Sequence, residues 1–70
     1  MLKKFRDDLA VDITKINALE VLEEDDTGEY TVIAYVQNLQ VTLEWFETQE
    51  DAEIYLDKLI NEINGDDTDE

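Results

Sequence analysis

Between Tyr30 and Asn64 the apolar period of the sequence changes once, and that change dictates most of what the chain can fold into. Tyr30, Val32, Ala34 and Val36 fall two apart, as do Val41, Leu43 and Trp45. Period two sends successive side chains to opposite faces, so each run reads as a half-buried strand. Ala52, Leu56, Leu59, Ile60 and Ile63 then recur at the period of a helix. Thr48 supplies a hydroxyl N-cap, with Asp51 in the capping-box position, and Gly65 follows the last periodic residue as a stop. Glu50 and Asp51 lie in the first turn, where the helix dipole favours negative charge. The spacing predicts a helix over 49–64, about 24 Å long at 1.5 Å per residue.

The hairpin before it has an implied register. A four-residue loop from Gln37 to Gln40, with Asn38 and Leu39 at its tip, sets Val36 against Val41, Ala34 against Leu43 and Val32 against Trp45. One face is then wholly apolar, and Trp45 is expected to be buried between sheet and helix. The other face carries Ile33, Tyr35 and Phe46 beside Thr31, Thr42 and Glu44. It calls for cover from the N-terminal helix or from another subunit.

Upstream, Leu2, Phe5 and Leu9 are three and four apart, which predicts a short amphipathic helix over 2–10. A first strand is expected at about 15–24, where the β-branched residues favour strand but the alternation is imperfect. Leu19 and Val21 share one face, Ile16, Ala18 and Leu22 the other, the mark of an edge strand or a bulge. Asp25-Asp26-Thr27-Gly28 turns the chain into the next strand, at about 29–37, and so short a link makes the pair antiparallel. The expected architecture is α+β: a three-stranded antiparallel sheet, a C-terminal helix packed on one face and a short N-terminal helix. Residues 1–64 form one domain, and 65–70 is expected to be a disordered acidic tail.

Seventy residues can build only a small core, and about 3–5 kcal/mol is a reasonable ceiling for its stability. Without cysteine neither a disulfide nor a thiolate metal site can reinforce it, which leaves self-association, and a homodimer is expected. Histidine and serine are also absent, and Gly28 and Gly65 are the only glycines. The usual nucleophile–base pairs and phosphate loops are thereby excluded, so neither catalysis nor a cofactor is expected. Glu23, Asp25 and Thr27 before Gly28 mimic the start of a calcium loop, but its twelfth position falls on Ala34, which has no carboxylate. The longest apolar run is five residues, Val32 to Val36, too short for a membrane span or a signal core. A cytoplasmic setting is expected.

Charge is the feature that points to a partner. Twenty acids against five bases give −15, which excludes direct binding to nucleic acid or an anionic membrane. Residues 16–70 hold seventeen of the acids and only one base, Lys58. The acids group twice: Glu20, Glu23, Glu24, Asp25, Asp26 and Glu29 around the first turn, then Glu44, Glu47, Glu50, Asp51, Glu53 and Asp57 along the strand–helix corner. Carboxylates two apart on a strand stand about 7 Å apart, and three or four apart on a helix about 5–6 Å. That is the scale of successive phosphates, so such a surface fits a groove built for nucleic acid. Solubility alone needs a net charge of only about 2–8. Ile54, opposite the apolar stripe and ringed by Glu50, Asp57 and Asn61, has the layout of an interface anchor with a charged rim.

Size, acidity and sheet-plus-helix layout resemble the small phage-encoded inhibitors that mimic nucleic acid, among them anti-restriction and anti-CRISPR proteins. The resemblance covers the whole chain in kind and carries over no individual residue. It implies a non-enzymatic inhibitor that occupies a basic nucleic-acid-binding protein. The competing expectation is a self-associating structural or assembly module whose acidity serves solubility.

Overall fold

The computed structural model describes residues 2–65. Five strands and one helix follow in order: β1 (Leu2–Arg6), β2 (Leu9–Asp12), β3 (Ile16–Glu23), β4 (Tyr30–Val36), β5 (Leu39–Phe46) and α1 (Gln49–Asn64). A single 3-10 turn, Ile13–Lys15, links β2 to β3. Strands β3, β4 and β5 form an antiparallel sheet in that order, while β1 and β2 form a separate two-stranded hairpin. The α+β layout with a C-terminal helix packed on a three-stranded sheet is as the periodicity implies. Of the expected disordered tail, only Gly65 falls within the described residues.

The N-terminal helix over 2–10 is overturned. Leu2 pairs with Asp12, Lys3 with Val11 and Lys4 with Ala10, and a bulge brings Arg6 against Leu9 across the Asp7-Asp8 tip. A helix so short gains little from its own hydrogen bonds. As a hairpin the same segment brings Phe5, Leu9 and Val11 onto the core that the helix and sheet share. Val32, Ala34, Leu43 and Ala52 at the centre of that core are fully buried, with Leu59 and Val11 nearly so.

The hairpin register also differs from the one expected. Gln37 takes the left-handed conformation, at φ 59°, and makes a two-residue turn with Asn38. Val36 therefore faces Leu39, and Ala34 faces Val41. Between Val32 and Ile33 the register shifts, because Leu43 is an extra residue in β5 and Val32 comes to face Glu44. One inserted residue exchanges the faces of everything beyond it. Phe46 thus joins the core side, its ring 5.2 Å from that of Tyr55. Trp45, expected in the core, is turned to the other face beside Thr31 and is 45% exposed. A second bulge, between Ile16 and Ala18, resolves the uneven alternation of β3 by placing Ile16 with Leu19 and Val21 against the core.

Helix α1 begins and ends on its expected residues. The Thr48 hydroxyl accepts a hydrogen bond from the Asp51 amide at 3.2 Å, and Gly65 closes the C-terminus with φ 71°. Both end effects are local, which is why the sequence alone locates them.

Candidate acidic interface

Pairing of the strands decides where the carboxylates go. Glu23 at the end of β3 lies beside Tyr30 at the start of β4, and Tyr30 lies beside Phe46 at the end of β5. The β3–β4 turn and the β5–α1 corner therefore occupy the same end of the sheet. Two acidic groups some twenty residues apart in sequence are brought together there. Glu23, Glu24, Asp25, Asp26 and Glu29 come from the turn, and Glu47, Glu50 and Asp51 from the corner. Among the described residues no ammonium or guanidinium group is ion-paired with any acid of this pole; Lys3 is spent on Glu62, at 3.1 Å, near the far end of α1.

The turn is held by its own backbone. The Gly28 amide donates to the Glu24 carbonyl and the Glu24 amide to the Glu29 carbonyl, both at 2.8 Å, with Gly28 at φ 75°. The Thr27 hydroxyl accepts from the Glu29 amide at 3.2 Å. These bonds make the 24–29 segment a hairpin turn, and no group of three or more acids among the described residues is arranged to hold a metal ion. Glu24 is partly committed inward, since its carboxylate accepts the hydroxyl of buried Thr31 at 3.1 Å.

The remaining expected residues are spread more widely. Glu44 is half-buried within β5, and its carboxylate accepts the Trp45 amide at 3.1 Å. Glu53 accepts from the Gln49 side chain at 3.0 Å, one turn into α1, and Asp57 lies exposed a further turn along. Ile54 is 52% exposed and borders a shallow pocket of about 290 Å³ with Phe46, Asp51, Tyr55 and Lys58. Burial, then the charges of Glu44 and Glu62, push the Tyr55 phenol above its ordinary pKa. Tyr55 and Lys58 as neighbours of Ile54 were not anticipated; the four-residue spacing of Lys58 was the available signal, whereas Tyr55, the next residue along the helix, gave none.

A second surface has the opposite character. Beside the outer edge of β3, Ile16 to Leu19 and Ile60, Ile63 and Asn64 of α1 line a groove of about 270 Å³ without a single charged side chain. Ile60, expected in the core, is 38% exposed there. No helix among the described residues is long and apolar enough to cross a membrane. No protein-family model matches the chain, and comparison with curated proteins and with solved structures finds no significant match to either.

Proposed function

We propose that this protein is a non-enzymatic acidic inhibitor that occupies the nucleic-acid-binding groove of a basic protein. The supporting observation is the convergence of two acidic groups at one end of the sheet, unpaired with any base among the described residues. Unpaired carboxylates at a single pole raise the folding free energy by mutual repulsion, and a cationic partner removes that cost while releasing its own counterions. The helix N-terminus carries Glu50 and Asp51 on a rigid, capped element, so part of the charge array is ordered before binding. Ile54 and its pocket give an apolar anchor beside the array, with both Asp51 and Lys58 on the rim. Phage origin and a cytoplasmic setting accompany this reading as proposals.

The test is charge reversal. Glu47, Glu50 and Glu53 are all exposed, and changing all three to lysine takes the net charge from −15 to −9. The triple variant should fold with unchanged helical circular dichroism. Capture of a nucleic-acid-binding protein from host lysate should be lost with the triple variant and, for the parent, at high salt. Titrating the parent into that partner should release its nucleic acid. A stable ternary complex, or undiminished binding by the triple variant, overturns the proposal.

A further inference from the structure

We propose that a second copy of this chain docks along the outer edge of β3, joining two three-stranded sheets into one of six strands about a two-fold axis near Leu19. The inference is independent of the acidic pole. Strand β3 is an edge of the sheet, with its outer backbone groups unpaired by any described strand. The opposite edge is different: the Arg6 guanidinium donates to the Thr42 carbonyl of β5 at 3.2 Å. Open edges of this length invite pairing, and natural sheets protect them with charged side chains, proline or bulges. From Ile16 to Glu23 there is no lysine or proline; Glu20 and Glu23 are the only charges, and the bulge between Ile16 and Ala18 is confined to one end.

Charge selects the occupant and the register. In a chain of twenty acids, a groove lined wholly by uncharged residues lets a copy of equal charge approach without meeting a carboxylate in its lining. Antiparallel pairing that keeps both helices on one face requires residue numbers across the axis to sum to an even value, because opposed residues share a face. An axis at Glu20 sets the two Glu20 carboxylates against each other, which like-charge pairing disfavours. An axis at Val21 carries the two grooves away from each other. With the axis at Leu19, Glu20 of each copy stands opposite Ala18 of the other. The two Ile60-lined grooves then meet across the axis. The Glu23 ends of the two strands separate by roughly 26 Å, well beyond the ~8 Å screening length at physiological salt. The bulge between Ile16 and Ala18 keeps the shared ladder short, so burial of Ile60 and its groove carries most of the contact.

Sedimentation equilibrium should give twice the chain mass of 8.2 kDa at high protein concentration, with tighter association as salt rises. Ile60→Lys and Ala18→Glu should each weaken the dimer about tenfold or more, while Ala18→Lys, facing Glu20, should strengthen it. Circular dichroism identifies any variant that fails to fold. The parent chain has no cysteine, so oxidising an equimolar mixture of Ala18→Cys and Glu20→Cys chains reports the register directly. The mixed disulfide should dominate. A parent that stays monomeric at all concentrations and salts, as it would if the edge received a different protein's strand, overturns the proposal. So does a dimer indifferent to Ile60→Lys and Ala18→Glu, or a mixture that yields only like-with-like cross-links.

Discussion

The Arg6 guanidinium stands 5.1 Å from the centre of the Trp45 ring, and this contact ties the N-terminal hairpin to the last strand of the sheet. The same group donates from Nη2 to the Thr42 carbonyl, while its buried Nε has no hydrogen-bond partner among the described residues. A cation over an indole contributes about 0.5–1 kcal/mol at a part-exposed site, and a hydrogen bond from a charged donor about 1.5–3. The unpartnered Nε subtracts from that sum. Arg6→Ala should therefore lower stability by about 1–2 kcal/mol in urea unfolding. Arg6→Lys should recover only part of the loss, because an ammonium keeps the charge but not the planar fork.

Leu43 and Trp45 exchange their expected importance through the bulge. Leu43 is completely buried, so Leu43→Ala should cost about 3–5 kcal/mol, enough to leave a domain of this size largely unfolded. Trp45→Ala should cost about 1–2 kcal/mol, since nearly half the residue is already in water. Native tryptophan emission should lie close to that of the unfolded chain. If Trp45→Ala proves the more damaging of the two in urea unfolding, the bulge is misplaced and Trp45 belongs to the core.

Alkaline pH should expose two tyrosines by their titration. The Tyr35 hydroxyl donates to the Glu20 carboxylate at 2.7 Å, a bond that needs the phenol proton, and this raises its pKa above the ordinary value. Burial first, then Glu44 and Glu62, does the same for Tyr55. A raised folded-state pKa means that the folded chain holds the proton more tightly than the unfolded one. The associated stability is complete below about pH 10 and is lost as pH climbs through the folded-state values. Phenolate absorbance should show two groups ionising later than free tyrosine, and Tyr35→Phe should remove one and flatten the alkaline loss of stability. Simultaneous ionisation of every tyrosine at the free value would contradict both contacts.

Helix α1, its Thr48 cap, its Gly65 stop and the turn closed by Gly28 were all determined by the sequence itself. Each depends on residues within about four positions of one another, so no distant contact is needed to specify it. The existence of three strands was legible for the same reason, as was the uneven face of β3. Tertiary structure decided the rest. Phe5 and Leu9 have helical spacing, yet the segment becomes a hairpin because only that form delivers Phe5, Leu9 and Val11 to a core whose other buried residues lie twenty or more positions away. The bulge at Leu43 likewise answers to Tyr55, which takes Phe46 as its neighbour and leaves Trp45 to Arg6. Both acidic groups could be counted in the sequence, but their meeting at one end of the sheet follows from strand pairing. Periodicity reports which side of an element is apolar; where two elements meet is fixed by burial competing across the whole chain.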